Sequence, residues 1–147
     1  MNRTIIDHLN AELATAFVLS FNAKRYHWTG TGPHFRDYHL RFEELYNAAD
    51  GTVDELAERI RMLGGLPIHA PAQMASLTKA AASDPAVRLD PEAMLMEALE
   101  NEERTIALMH EGIELAGQAG DPGTADLLTR FVQVHQKEAW FLASMNA

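Results

Sequence analysis

The feature that most constrains the fold is a 28-residue stretch of helical pattern, from Arg36 to Leu63, that no proline interrupts. Gly64, Gly65 and Pro67 end it, as a glycine cap followed by proline does at a helix C-terminus. At about 1.5 Å per residue, such a helix is about 42 Å long. A chain of 147 residues forms one domain with its own core. A helix this long in so small a domain predicts a bundle of long helices.

Three further long helices are predicted from apolar residues that recur at steps of three and four. The first covers residues 4–29 and stops at the glycine- and proline-containing segment 29–35. The third covers 91–116 and the fourth 122–144. Both start at an Asp-Pro pair, in which the aspartate caps the helix and the proline occupies its first position.

The long connection between the second and third helices, residues 64–90, is rich in Ala, Pro and Ser, and a short helix is predicted within it at 74–81. The order is therefore two helices, a long crossover and two helices, which is the ferritin-like arrangement. We predict an all-α fold, a ferritin-like four-helix bundle whose crossover contains a short helix. The whole chain, 1–147, forms this single domain.

Composition excludes several classes of protein. There is no cysteine, which removes disulfides and thiolate metal sites. No apolar run reaches the roughly 18 residues of a membrane span, and we expect a cytoplasmic protein. The net charge is −9, and Lys24-Arg25 is the only adjacent basic pair. Because such a chain repels phosphate backbones, direct DNA binding is not expected.

Four potential metal ligands lie on one stripe of the second helix, within an arc of about 100°. Imidazole and carboxylate together suit iron, zinc or manganese. His39 and Asp54 are nevertheless about 22 Å apart along the helix axis, so one chain cannot close the site. The four residues are His39, Glu43, Asp54 and Glu58.

A two-fold axis near residues 48–49 would place a second copy antiparallel and bring His39 and Glu43 of one chain beside the acids of the other. The intervening residues are small enough for this approach: Asn47, Ala48, Ala49 and Gly51. His27 precedes the short connection to the second helix, so a tight hairpin would add it as a further nitrogen ligand. Two histidines and three carboxylates would then form the site, twice per dimer.

Other interpretations of these residues remain open at this point. The acids could form an ordinary solvated helix face, and His27 could be a core or interface histidine. Glu44 could replace Glu43, although the spacing favours Glu43. His110, His135 and Glu138 could form an unrelated site, but they are interpreted as surface or core residues.

A resemblance to the Dps family, the mini-ferritins, extends over nearly the whole chain and rests on specific motifs. They are K-x-x-H-W at 24–28, Gly32, Phe35, a second histidine at 39, D-x-x-x-E-R at 54–59, L-G-G at 63–65, D-P-G-T-A-D-L-L at 121–128 and H-Q-K-E-A-W at 135–140.

The resemblance implies a ferroxidase site between two-fold-related subunits, with His27, His39 and the acid at 43 from one and Asp54 and Glu58 from the other. It implies a hollow dodecamer that oxidises Fe(II), preferentially with hydrogen peroxide, and stores ferric mineral. The family usually has Asp where this chain has Glu43. It carries a Trp at the position of Trp28, thought to accept stray oxidising equivalents. In the family, acids near the start of the fourth helix line the pores through which iron enters the shell, and Asp121 and Asp126 match that region.

The fold is compatible with two rival functions. An ordinary ferritin or bacterioferritin places its site inside one bundle and needs Glu-x-x-His, but none of the seven histidines has Glu three residues before it. A non-enzymatic nucleoid or stress protein on the same fold is the second alternative. It ranks lower because all five ligand positions hold competent side chains.

Overall fold

The computed structural model describes residues 2–147, whose regular structure is entirely helical. One hairpin consists of α1 (Arg3–Thr29) and α2 (Phe35–Met62), and a second consists of α4 (Pro91–Gln118) and α5 (Pro122–Met145). The short helix α3 (Pro71–Leu77) lies in the crossover. α1 packs against α4, and α2 against α5. The predicted all-α four-helix arrangement is confirmed. Among residues 2–147, no helix combines the length and apolar character that crossing a membrane requires.

The two Asp-Pro pairs start their helices as predicted. Asp90 Oδ1 accepts a hydrogen bond from the Ala93 amide at 2.8 Å, and Asp121 Oδ1 accepts one from the Thr124 amide at 3.0 Å. Each carboxylate thereby satisfies an amide that has no partner inside the helix. The start of α5, which carries two candidate pore acids, is therefore held in place by its own cap.

The core has one large apolar cluster toward the end of the bundle where α1 and α5 begin, a second near the α1–α2 connection and a small third one between them. In the second cluster, Tyr26 of α1 packs on Phe42 of α2, with ring centroids 5.1 Å apart. Met94 and Leu95 of α4 and Leu142 of α5 complete it, and all five side chains are at most 1% exposed. Each contributes roughly 1.5–3 kcal/mol by burial. This cluster fixes the end of the hairpin where His27 and His39 lie.

The short helix of the crossover was predicted at 74–81 and instead covers Pro71–Leu77. Pro71 occupies its first position, and the Gln73 side chain accepts hydrogen bonds from the amides of His69 and Ala70, both at 3.0 Å. The chain leaves the helix after Leu77 because it is bound to α1 there: the Lys79 amide donates to Thr15 Oγ1 at 3.0 Å.

Three buried asparagines fasten the crossover to the bundle. Asn10 donates to the Leu66 carbonyl at 3.1 Å and accepts from the Ile68 amide at 2.9 Å. Asn22 and Asn101 both donate to the Ala81 carbonyl, each at 2.9 Å. An amide side chain supplies both a donor and an acceptor, so it can form the hydrogen bonds that the backbone of a neighbouring strand would otherwise form. The crossover is therefore a fixed strap along α1 and α4.

Candidate metal centre

The turn between α1 and α2 brings His27 and His39 together. The Gly30 amide donates to the Tyr26 carbonyl at 3.1 Å and ends α1, and Gly32 has φ +111°, a conformation that favours glycine. The chain reverses within five residues. The two imidazole rings stack with centroids 3.7 Å apart and planes 17° apart. The predicted closeness of His27 to the start of α2 is confirmed.

Two reciprocal hydrogen bonds fix these rings. His27 Nδ1 donates to the His39 carbonyl at 2.6 Å, and His39 Nδ1 donates to the His27 carbonyl at 2.7 Å. A carbonyl oxygen only accepts, so both Nδ1 atoms carry hydrogen and, in the neutral rings, both Nε2 atoms carry a free lone pair. This backbone bond is the kind of contact that orients metal-binding histidines. Two nitrogen donors are therefore set side by side before any metal binds.

Aromatic side chains surround the pair. Phe35 lies tilted against His39, with centroids 5.0 Å apart, and Tyr46 meets His27 edge-on at 5.5 Å. The Lys24 ammonium lies 3.8 Å from the centroid of the Tyr46 ring. Both histidines remain only partly buried. They are accessible from the face of α2 while their orientation is restricted on several sides.

Glu43 and Glu44, which the sequence could not separate, differ in the structure. Glu44 is exposed, and its carboxylate forms an ion pair with Arg41 Nη1 at 3.1 Å. Glu43 is half-buried one turn after His39, and within residues 2–147 no ion pair or hydrogen bond engages its carboxylate. Of the two acids, Glu43 is therefore the one whose carboxylate has no competing partner within residues 2–147.

Asp54 and Glu58 lie one turn apart on the other half of α2, and both are exposed. Glu58 lines a groove between α2 and the start of α5, beside Arg59 and Gly123. The histidine pair is more than three turns away on the same helix, about 22 Å along the axis. In the part of the chain that the structure describes, no three His, Asp or Glu side chains converge in a way that could hold a metal ion.

The surface of α2 between the histidine end and the Asp54–Glu58 end matches the prediction of small exposed residues only in part. Asn47 and Gly51 are exposed, and a Cβ on Gly51 would meet no atom within 4 Å. Ala49, however, is 1% exposed and belongs to a core cluster with Val18 and Leu19. Ala49 therefore faces the inside of the bundle. The small residues on the outer surface of α2 are therefore Asn47 and Gly51, which are exposed, and Ala48, which is half-buried.

Of the other predicted functional residues, one directly follows His27 and two lie at the start of α5. Trp28 follows His27 but is 71% exposed. Asp126 is exposed, with Arg130 Nε 3.9 Å from its carboxylate. Asp121 caps α5 and receives Arg59 Nη2 at 2.7 Å. Although partial burial raises the pKa of Asp121, the hydrogen bonds from Thr124 and the Arg59 charge outweigh this and hold it below its ordinary value.

A second group of histidine and glutamate side chains lies in the bundle core, and sequence analysis missed its glutamates. His135 Nδ1 lies 2.6 Å from Glu102 Oε2, and both residues are 1% exposed. Glu12 is equally buried and pairs with His8 Nε2 at 3.1 Å. Of the three residues interpreted as surface or core, His135 and Glu138 are buried and His110 is exposed.

Comparison with known proteins decides the family. Residues 6–147 match the family model of the ferritin-like domain. A Bacillus anthracis protein named DNA protection during starvation protein 2 is 32% identical over 145 residues, which cover 97% of this chain and 96% of that protein. The chain belongs to the Dps family. The family resemblance drawn from the motifs is therefore confirmed.

Solved Dps structures agree over the whole chain. Dps from Thermosynechococcus elongatus is 44% identical and matches with a TM-score of 0.95, covering 98% of this chain and 90% of that one. Dps from Vibrio cholerae is 27% identical with a TM-score of 0.92, covering 99% and 90%. The Vibrio protein is described as a member of a broad superfamily of ferritin-like diiron-carboxylate proteins.

Proposed function

We propose that this Dps chain stores iron as a ferroxidase: it oxidises Fe(II), with hydrogen peroxide as the oxidant, at a dinuclear site shared by two-fold-related subunits. The ferric product is held inside a dodecameric shell. The observation that carries the proposal is the stacked pair of His27 and His39, whose Nδ1 atoms are both bound to carbonyl oxygens. Together with the Glu43 carboxylate, their Nε2 atoms form one half of the proposed site, and the other two carboxylates, Asp54 and Glu58, lie about 22 Å away along the same helix.

The second half of the site comes from another subunit. An antiparallel copy of α2 would bring Asp54 and Glu58 of the partner subunit to His27, His39 and Glu43. The small residues at 47, 48 and 51, which are exposed or half-buried, allow two helices to approach closely there. Two imidazoles and three carboxylates are a donor set that suits iron. Zinc or manganese could occupy the same ligands, so iron is proposed as the substrate on the strength of the family.

The chemistry follows from the ligands. Anionic carboxylate oxygens are hard donors and stabilise Fe(III) relative to Fe(II), which favours oxidation. Neutral imidazoles keep the site from becoming so anionic that the ferric product cannot leave. Two ferrous ions supply the two electrons that convert one hydrogen peroxide and two protons into two waters. Because both electrons arrive together, no hydroxyl radical is released.

Ferrous ions must also pass through the shell, and acids at the start of α5 are proposed to line the pore. Asp126 suits this role better than Asp121, because its side chain is 78% exposed. Both oxygens of Asp121 are already engaged by Thr124 and Arg59. Trp28, next to His27, is proposed to accept stray oxidising equivalents. With net charge −9, the chain is not proposed to bind DNA directly.

The shared site is tested by mixing two inactive variants. One chain carries His27→Ala and His39→Ala, and the other carries Asp54→Ala and Glu58→Ala. In each variant alone, the rate of ferrous oxidation should fall well below that of the wild type. The loss should exceed the roughly 10- to 100-fold loss that is typical when a residue supporting a metal ligand is removed. When the two chains are co-expressed, about half of the dimers are mixed and each contains one complete site, so about a quarter of the wild-type rate should return.

The outcomes separate the alternatives. A site within one chain would give no recovery in the co-expressed protein. Full activity in the Asp54→Ala/Glu58→Ala variant would show that these acids are not ligands. The native mass of each preparation serves as the control, since twelve chains of 16.3 kDa should give about 196 kDa. A stable monomer with no ferrous oxidation would overturn the proposal.

A further inference from the structure

Met62, the last residue of α2, carries a thioether one turn after the candidate ligand Glu58. We infer that Met62 is a modification site: hydrogen peroxide that meets no ferrous ion oxidises its sulfur to the sulfoxide, and a separate reductase reverses the change. Only the supply of peroxide rests on the function proposed above. The modification itself uses neither iron nor any of the five proposed ligands.

Exposure distinguishes Met62 from the other methionines of residues 2–147. The methionines at 74, 94 and 109 belong to the core and are at most 6% exposed. Met96 and Met145 are 52% and 37% exposed, whereas Met62 is 71% exposed. Oxidation turns the flexible apolar side chain of methionine into a polar one, which a core cannot accommodate. Met62 can change in this way without disturbing the packing of the bundle.

The Arg59 guanidinium lies beside the Met62 sulfur. Arg59 Nη1 is 3.9 Å from Met62 Sδ. The other two nitrogens of the guanidinium are held elsewhere, since Nε donates to Thr124 Oγ1 at 3.0 Å and Nη2 donates to Asp121 Oδ1 at 2.7 Å. A thioether is a weak acceptor, and arginine stays protonated in proteins. A fixed positive charge therefore directs an N–H group at the sulfur, and that group is available to a stronger acceptor.

An open groove between α2 and α5 gives peroxide room at this sulfur. Met62, Glu58, Arg59 and Gly123 are among the residues that line it, and its volume is about 200 Å³. A water molecule occupies about 30 Å³ of liquid, so a molecule with two oxygens fits. A Cβ at position 123 would lie 2.7 Å from Arg59 Nη2. Glycine at that position therefore lets the guanidinium keep its place beside the sulfur.

The oxidation of the sulfur balances without a metal. A sulfur lone pair attacks one peroxide oxygen, so that the S–O bond forms and the O–O bond breaks. The leaving hydroxide takes the proton of the transferred oxygen and departs as water. The sulfur loses two electrons and the peroxide gains two. Arg59 Nη1 stabilises the negative charge that develops on the leaving oxygen. It then donates a hydrogen bond to the sulfoxide oxygen, which accepts more strongly than the thioether.

The reverse reaction must come from another protein. The chain contains no cysteine, so it has no thiol that could reduce the sulfoxide. Methionine sulfoxide is returned to methionine by methionine sulfoxide reductases. The exposed end of α2 is accessible to such an enzyme. Each round of oxidation and reduction then removes one hydrogen peroxide per subunit.

The test is residue-resolved mass spectrometry of the assembled, iron-free protein after treatment with hydrogen peroxide. Sulfoxide should form several-fold faster at Met62 than at Met96 and Met145, which are the next most exposed. Methionine sulfoxide reductase, added with its thiol reductant, should return Met62 to its original mass. Equal rates at the three positions, or a slower rate at Met62, would overturn the inference.

Arg59→Lys separates the effect of the guanidinium from that of exposure. The single ammonium of lysine is drawn to Asp121 and leaves the sulfur without a donor, so oxidation of Met62 should slow several-fold. Arg130→Gln is the matched control, because Arg130 lines the same groove but pairs with Glu55 at 3.3 Å. It should leave the rate at Met62 unchanged. A wild-type rate in Arg59→Lys would show that Arg59 has no part in the modification.

Circular dichroism and native mass establish whether both arginine variants fold. If Arg59→Lys does not assemble, the comparison of Met62 with Met96 in the wild type still decides whether the site is selective.

Met62→Leu separates this modification from the ferroxidase reaction. Leucine has a similar volume but no sulfur, so the iron-free protein should consume less peroxide while ferrous oxidation keeps its wild-type rate. Slower ferrous oxidation in Met62→Leu would place Met62 in the iron reaction and overturn the inference. A wild type that modifies Met62 selectively but does not oxidise Fe(II) would overturn only the proposed function.

Discussion

Two sets of side chains in this protein each contain a histidine whose Nδ1 atom is held by a hydrogen bond, but one set lies on a partly exposed face and the other in the bundle core. The surface pair is His27 and His39, and the core set is His135 with Glu102 and Glu12. In both sets a histidine Nδ1 is bound: to a carbonyl oxygen at 2.6–2.7 Å in the surface pair, and to the Glu102 carboxylate at 2.6 Å in the core. The Nε2 of His135 has no partner within residues 2–147, and that residue is 1% exposed.

The difference shows that an oriented histidine is not by itself a metal site. His135 has the carboxylate contact that commonly supports a metal ligand. Yet it is enclosed by the bundle, and no third ligand converges with it in the described residues. The surface pair lies on a partly exposed face, where a second chain can bring the missing carboxylates. We therefore expect the core set to stabilise the fold, and iron binding is proposed only for the surface pair.

Removing a core carboxylate should have the largest effect on stability. Glu102→Ala leaves the buried His135 Nδ1 without an acceptor, and breaking a buried pair of this kind costs about 3 kcal/mol. The thermal midpoint of the assembled protein should fall clearly, while ferrous oxidation per folded assembly stays near the wild-type rate.

Glu103→Ala is the matched control, because Glu103 is the adjacent residue and is exposed. Its stability should change by no more than about 0.5 kcal/mol. If Glu102→Ala instead kept its stability and lost ferrous oxidation, the division between the two sets would be wrong and the core would belong to the reaction.

A second pair of substitutions sharpens the assignment on the surface side. Glu43→Ala should slow ferrous oxidation about 10-fold, a loss typical of weakened support for a metal. Glu44→Ala should leave the rate nearly unchanged, because the Glu44 carboxylate is already paired with Arg41 at 3.1 Å. Stopped-flow absorbance of ferric product measures both. A larger loss in Glu44→Ala than in Glu43→Ala would reverse the assignment that the structure favours.

Much of the fold follows from local sequence signals. Periodicity and the Asp-Pro starts located the four long helices to within about two residues. The short helix was displaced, since its end depends on the contact of Lys79 with Thr15 across the bundle. Ala49 was assigned to the dimer face because it is small, whereas tertiary packing turns it inward. Both errors concern contacts between segments far apart in sequence.

The site was predicted in part. Spacing placed the candidate ligands on one stripe and required a second chain, but the reciprocal bonds of His27 and His39 depend on backbone geometry that no spacing rule specifies. The core glutamates had a signal that was available: Glu12 falls in step with Leu9, Leu13 and Ala16 on the buried stripe of α1. An acid on an apolar stripe indicates a buried pair, and the sequence analysis drew no inference from Glu12.

The smallest expected effect is a pH dependence of stability from the core. Burial raises the pKa of Glu12 above its ordinary 4.5, against the opposing contact with His8. Burial lowers the pKa of His8, but the Glu12 hydrogen bond and charge leave it above its ordinary 6.5. A group whose pKa is raised by folding contributes its full stabilisation of the folded protein at pH values below its pKa in the unfolded chain. That contribution is lost as the pH rises through its pKa in the folded protein. Both groups therefore stabilise the fold more at mildly acidic than at alkaline pH.

Comparison with Glu12→Gln isolates this contribution, because the amide cannot bind the proton. The thermal midpoint of the wild type minus that of Glu12→Gln should decrease as pH rises from about 5 to about 8. Glu114→Gln, at an exposed position on α4, should show no such trend. A difference that grew with pH would mean that Glu12 is held ionised in the folded protein. In that case the core set would carry a buried charge available to a cation, and its separation from the surface pair would fail.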